Sequence, residues 1–145
     1  MKRHTPPIGG KHKKLPLQLQ IAKQHKFVEL HVDFFFVNKL PFLHTKSVVI
    51  QFLSVELVKN RKAHNIINGL DTVQQIYHSR GFKLTIVHAD GEFNIDTVRT
   101  VLLPAQLTIY AKNEHVSIVE RSIITFKERC RCNCHSVPFL RYTKL

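Results

Sequence analysis

A long stretch rich in Val, Phe, Ile and Leu, residues 27–58, constrains the fold of this chain more than any other feature. Aromatic and β-branched residues favour strands. The turn-like sequence Asn38–Pro41 divides the stretch, which indicates strands that fold back on each other. We therefore predict strands near 27–37, 42–47 and 48–57.

The remainder of the chain alternates between segments of helical and strand character. Asn60 is predicted to cap a helix that ends at Gly81, and Asn94 a short helix that ends before Pro104. The other predicted elements are strands near 82–87 and 107–110, and a helix over about 114–131 capped by Asn113. A strand–helix–strand connection normally makes its two strands parallel, so this order predicts an α/β fold with a mixed sheet flanked by helices.

The amino-terminal segment differs in composition from the rest of the chain. Residues 1–25 contain three prolines, two glycines and the basic run Lys11–Lys14, which predicts a flexible basic arm. The arm would be a solvated tail, or a segment that contacts phosphates or directs nuclear import. Residues 26–145 are then long enough for one domain with a packed core.

The net charge of the chain indicates which classes of partner it could bind. The formal net charge is +12, and so basic a surface attracts a polyanion, nucleic acid first and an anionic membrane surface second. No apolar stretch is long enough to span a bilayer. Three closely spaced cysteines, Cys130, Cys132 and Cys134, form neither a disulfide framework nor, with His135, the usual zinc spacing. We expect an intracellular protein.

Three of the ten acidic residues stand out by position. Asp33 lies within an apolar strand, where a buried carboxylate needs a partner or a metal, although a strand-edge Asp facing water is an equal alternative. Asp90 follows a predicted buried strand, where ligand groups collect and where Asp before Gly also forms turns. Glu120 shares a helix face with Lys127 and Arg131, which by itself indicates only a solvated polar face.

These acids lie in the motifs HVDFFFVNKLPFL, HADGEF and NEHVSIVERSIITFKER, and together the motifs resemble the integrase catalytic core of copia-type retroelements. The resemblance covers about residues 27–140 and implies a ribonuclease H-like fold. We expect the chain to be a fragment in which this fold is truncated at its carboxyl end. The resemblance implies that Asp33, Asp90 and Glu120 are the catalytic, metal-binding carboxylates. His88 also matches a position that is common in the family. The chain departs from the family where Asp90 meets Gly91 directly and where only 29 residues separate Asp90 from Glu120.

The function implied by the resemblance is DNA integration by a retrotransposon-type polynucleotidyl transferase. Such a core cleaves and joins DNA strands with Mg²⁺ or Mn²⁺, would act in the nucleus, and could assemble with itself. The candidate nucleic-acid contacts around the last helix are Lys112, Asn113, Arg121, Lys127 and Arg131. The alternative is a catalytically inactive, nucleic-acid-binding relic of such a domain.

Overall fold

The computed structural model describes residues 16–111 and 117–136, and these form one sheet with helices on both faces. The strands are β1 (Phe27–Val37), β2 (Leu40–Ser47), β3 (Leu53–Leu57), β4 (Lys83–Ala89) and β5 (Gln106–Ile109). The helices are α1 (Pro16–Gln24), α2 (Ala63–Ser79), α3 (Asp96–Leu102) and α4 (Ser117–Ser136), with a 3-10 turn at Gly91–Phe93.

The sheet has the strand order β3-β2-β1-β4-β5. Strands β1, β2 and β3 pair antiparallel, as expected for a meander, while β4 pairs parallel to both β1 and β5. A two-residue turn with positive φ at Asn38 and Lys39 joins β1 to β2, so Pro41 lies inside β2 opposite Phe36 rather than in the turn. The predicted mixed sheet is confirmed.

The main hydrophobic core lies between one face of the sheet and the helices α2 and α3. Alternate residues of β1 point into it because successive side chains of a strand face opposite sides. α2 contributes one stripe at helical spacing. The largest fully buried members of this core are Leu30, Leu43, Ile66, Leu70, Tyr77, Phe93 and Leu102.

The opposite face of the sheet is covered in part by α4. A second, smaller cluster forms there, in which Val119 and Ile123 of α4 pack on Phe35 of β1. Ser122 of α4 is hydrogen-bonded to the fully buried His44 of β2 at 3.2 Å, which adds a polar contact between helix and sheet. α4 is thereby attached to β1 and β2.

Helix boundaries differ from the sequence predictions in their caps. Asn60 lies two residues before the N-cap of α2, Lys62, whose backbone N–H donates to the Asn60 side chain at 3.0 Å. Ile95, not Asn94, is the N-cap of α3, and the Asn94 side chain instead accepts a hydrogen bond from Arg99. Gly81 ends α2 as predicted, with φ +85°.

A further difference concerns the first helix. The sequence analysis places no helix in the segment 1–25, yet Pro16–Gln24 forms α1, with Ala22 packed against the main core. The rest of the predicted arm, residues 1–15, and the predicted cap Asn113 lie outside the described residues. Within the described part of the chain, none of the helices is both long and apolar enough to cross a membrane.

Candidate active site

Asp33 lies in the central strand β1, on the face that α4 covers. Its carboxylate oxygen Oδ1 accepts a hydrogen bond from the backbone N–H of Phe34 at 2.7 Å. The pKa of Asp33 is raised to about 6, mainly by burial and in smaller part by the negative charges of Asp90, Glu120 and Glu92, against the opposing effect of that hydrogen bond. Four carboxylates thus share one electrostatic environment centred on Asp33.

Asp90 follows β4 directly and reaches the same end of the sheet. Strands β1 and β4 are parallel with His31 opposite His88, so Asp33 and Asp90, each two residues further on, are neighbours where β4 ends, while β1 continues to Val37. The Asp90 carboxylate accepts a hydrogen bond from the backbone N–H of Glu92 at 3.0 Å and so caps the 3-10 turn. Burial raises the pKa of Asp90.

Glu120 lies in the first turn of α4, next to Val119, which packs on Phe35. Phe35 follows Asp33 by two residues in β1 and therefore points to the same face. This packing explains why the charge of Glu120 acts on Asp33. Asp90 and Glu120, the other two acids predicted from the sequence, thus both lie close enough to act on the charge of Asp33.

Glu92 is a fourth acid in this region that sequence analysis set aside. It lies two residues after Asp90, forms an exposed ion pair with Arg61, and its charge raises the pKa values of both Asp33 and Asp90. The only sequence signal was its position inside the HADGEF motif. Its exposure and its basic partner leave it at the edge of the site.

The acidic residues around Asp33 imply a metal ion, which needs several ligands grouped around one point. Across residues 16–111 and 117–136, no three His, Cys, Asp or Glu side chains lie close enough together to hold one ion. Asp33 is half-buried within β1, whereas Asp90, which follows β4, and Glu120, in a helix, are exposed. Binding all three acids to one ion would therefore require these side chains to move closer together.

The arrangement of strands and helices is also found in a solved viral enzyme. The catalytic core domain of BIV integrase matches with a TM-score of 0.63 at 14% sequence identity, over 77% of this chain and 74% of that one. This is a ribonuclease H-like integrase-core fold. No protein-family model and no curated protein matches the sequence.

On this integrase-core fold, a stack of aromatic rings lies next to the acids and was not predicted as a group. His31 and His88 stack with ring centroids 4.7 Å apart, and His88 stacks on Tyr110 at 5.3 Å. His88 also approaches Glu29, with 3.4 Å between Nε2 and Oε2. The sequence signal was the equal spacing of His31–Asp33 and His88–Asp90, which aligns the two histidines only once β1 and β4 are known to be neighbours.

The basic residues predicted to contact DNA divide between two sides of α4. Lys127 lies over the Phe35 ring, 5.3 Å from its centroid, and with Arg131 lines a groove along Phe35, Phe36 and Val37. Arg121 instead lines a separate groove on the other side of the helix. Lys112 and Asn113 lie outside the described residues.

The cysteine-rich end of α4 carries two exposed free thiols, Cys130 and Cys132. The side chains of Cys134 and His135 lie outside the described residues.

Proposed function

We propose that this chain is a polynucleotidyl transferase core of the retroelement integrase type, which cleaves and joins DNA strands with divalent metal ions. One observation carries the proposal. The parallel pairing of β1 and β4 sets Asp33 beside Asp90 where β4 ends, and Glu120 at the start of α4 lies close enough for its charge to act on Asp33. The copia-type motifs in which the three acids lie support the same assignment.

The residues at this end of the sheet fit a hard divalent cation. Carboxylate oxygens are the ligands that Mg²⁺ prefers. The pKa of about 6 at Asp33 reflects burial together with the charges of neighbouring acids, which a cation would offset. Asp33 and Asp90 would hold the metal, and Glu120 would complete the ligand set. A metal pair at such a site supplies activation of the attacking oxygen and stabilisation of the leaving one.

The protein's own groups fix the geometry of this site. The backbone N–H groups of Phe34 and Glu92 each hold one carboxylate oxygen, which orients Asp33 and Asp90 before any ligand arrives. Lys127 and Arg131 lie on the side of α4 that faces the end of β1, where they would contact the phosphates of the DNA strand being cut. Lys112 and Asn113 lie outside the described residues, and their contact with DNA stays a prediction from the sequence.

The test is strand nicking and joining on labelled DNA with Mg²⁺ or Mn²⁺. Asp33→Asn, Asp90→Asn and Glu120→Gln should each lower the rate at least about 100-fold, equal to roughly 2.7 kcal/mol of activation free energy. Asp71→Asn removes an exposed charge from α2, remote from the site, and serves as the matched control with near wild-type activity. Equal activity in the wild type and all three site variants, or none in the wild type, would contradict the proposal.

The second candidate function is nucleic-acid binding without turnover. Two observations favour it: the three carboxylates are not grouped as ligands of one ion, and the interval from Asp90 to Glu120 is short for the family that the motifs resemble. Binding of DNA that falls steeply with salt, combined with no cleavage under any metal, would support this function over the first. Affinity that does not change with salt would count against nucleic acid in both.

A further inference from the structure

A groove of about 510 Å³ separates α4 from the connection between β2 and β3. Lys46 lines it on the strand side, and Arg121 and Arg129 line it on the helix side. Gln51 and Thr125 add polar groups, and none of the described residues that line the groove is a carboxylate. The groove is open and lies outside the group of acids described above.

The basic residues of this groove have no acidic partner among the described side chains. Lys46, Arg121 and Arg129 form no ion pair with a carboxylate of residues 20–111 and 118–133. Three cations that line one concave wall without an anion produce a positive potential that concentrates an anionic ligand. The groove therefore suits phosphate groups better than an apolar ligand.

The groove and the acids occupy different sides of α4. At 3.6 residues per turn, Arg121, Thr125 and Arg129 form a stripe centred about 140° around the helix from Glu120, whereas Lys127 and Arg131 lie within about 20° of Glu120. The structure agrees, since the first stripe lines the groove beside Lys46 and the second lines the groove beside Phe35. α4 thus presents two separate basic surfaces.

We propose that the groove of Lys46, Arg121 and Arg129 binds the phosphodiester backbone of a second nucleic-acid segment, separate from the segment at the acids. Strand joining requires two segments, and the helix carries two basic surfaces on which to hold them. Arg121 and Arg129 are about 12 Å apart along the helix axis, the length of three to four nucleotides of a duplex strand at about 3.4 Å each. The inference rests on the proposed function in taking nucleic acid as the polyanion.

The test uses the full chain and labelled duplex DNA, with affinity measured over a range of salt concentrations. The groove variant combines Lys46→Gln, Arg121→Gln and Arg129→Gln. A control variant removes the same charge from exposed positions elsewhere, through Lys59→Gln, Lys62→Gln and Lys83→Gln. The groove variant should lower the slope of log K against log salt by about 2–3, since each lost phosphate contact contributes about 0.9. The control should lower the slope by less than about 1.

A charge-conserving variant guards against loss of folding as the cause. Lys46→Arg, Arg121→Lys and Arg129→Lys together should keep the wild-type salt slope and most of the affinity. Equal slopes for the groove and control variants would overturn the inference. Binding to vesicles rich in anionic lipid that the groove variant loses, while its DNA affinity is unchanged, would also overturn it by assigning the groove to a membrane surface.

The nicking assay separates this inference from the proposed function. If the groove variant loses DNA affinity but no form of the protein cuts DNA, the groove assignment stands and the catalytic proposal fails. If the acids are required for nicking but the groove variant binds and joins DNA as the control does, the groove assignment fails and the catalytic proposal stands.

Discussion

The two faces of the sheet differ sharply in chemistry. The face covered by α2 and α3 buries one continuous apolar core, in which polar side chains such as Thr45 and Ser47 are uncharged. The face covered by α4 has only a small apolar cluster around Phe35, and next to it lie buried or half-buried ionisable groups, namely His31, Asp33, His44 and His88.

The first face therefore stabilises the fold, whereas the second face holds the groups that could take part in chemistry. Burial shifts the pKa of Asp33 upward and those of His31 and His44 downward, so at each position burial disfavours the charged form of the side chain. Ionisable residues at positions where burial disfavours their charged forms are typical of functional sites. The apolar face supplies the stability that offsets them.

The largest effect should follow from a cavity in the apolar face. Leu43→Ala should lower the free energy of unfolding by about 2–5 kcal/mol, because Leu43 is fully buried in the main core. Val55→Ala, at a half-buried position on the face of α4, should cost only about 1 kcal/mol. Urea denaturation of both variants measures the contrast, and equal losses would remove the distinction between the faces.

The second predicted effect is a gain in folding stability rather than a loss. Asp33→Asn should stabilise the protein at pH 7, because the wild-type carboxylate is ionised there in a site that favours its neutral form. A pKa of about 6 against an unperturbed 3.8 corresponds to about 3 kcal/mol unscreened, and solvent around this half-buried group reduces the gain to about 1–2 kcal/mol.

The pH dependence of that gain identifies its cause. Because the folded-state pKa of Asp33 is raised, its contribution to stability is fully present below pH 3.8 and is lost as the pH rises through about 6. The advantage of Asp33→Asn should therefore shrink as the pH falls from 7 to 4. Asp71→Asn should stay within about 0.5 kcal/mol of wild type. A pH-independent gain, or a loss at pH 7, would contradict the raised pKa.

The contact between α4 and the sheet should contribute a smaller amount. Ser122→Ala removes the partner of the buried His44 Nε2 and should cost about 1 kcal/mol in chemical denaturation. The pKa of His44 is lowered to about 4, by burial first and then by Lys46, so its contribution to stability is lost as the pH falls from 6.5 through 4. Thr125→Ala, one turn away and exposed, is the control. Equal costs at the two positions would show that this hydrogen bond does not attach the helix.

The smallest effect is expected at the edge of the acidic site. Glu92→Gln removes an exposed ion pair with Arg61 and should change stability by less than about 0.5 kcal/mol. It should also lower the pKa of Asp33, because the charge of Glu92 raises it. Titration of the Asp33 carboxyl by NMR measures this shift. An unchanged or higher Asp33 pKa would mean that Glu92 lies outside the electrostatic environment of the site.

Part of this structure could be predicted from local sequence pattern. Strand β1 follows from its run of aromatic and β-branched residues, and α2 from the apolar stripe that ends at Gly81. The caps at Asn60 and Asn94 were wrong because either Asn can hydrogen-bond nearby groups from outside the helix, which the residue type does not distinguish. α1 was missed because residues 1–25, in which it lies, contain three prolines and two glycines, which are typical of irregular structure.

The candidate site could likewise be predicted only in part from the sequence. The strand-end rule predicts that Asp90 faces a ligand, and the parallel pairing of β1 with β4 then places Asp33 beside it. The position of Glu120 depends on how Val119 and Ile123 of α4 pack on Phe35, a contact across the fold that no local pattern encodes. The basic groove at Lys46 was missed for the same reason, since its walls lie 75 residues apart in sequence.

The central claim is that Asp33, Asp90 and Glu120 form a metal site on the face of α4. Its most direct measurement is the unfolding free energy with and without Mn²⁺, in the wild type and in Asp33→Asn. At a Mn²⁺ concentration 100 times the dissociation constant, the wild type should gain about 2.7 kcal/mol. Asp33→Asn should gain little. An equal gain in both proteins, or none in the wild type at any Mn²⁺ concentration, would contradict the claim.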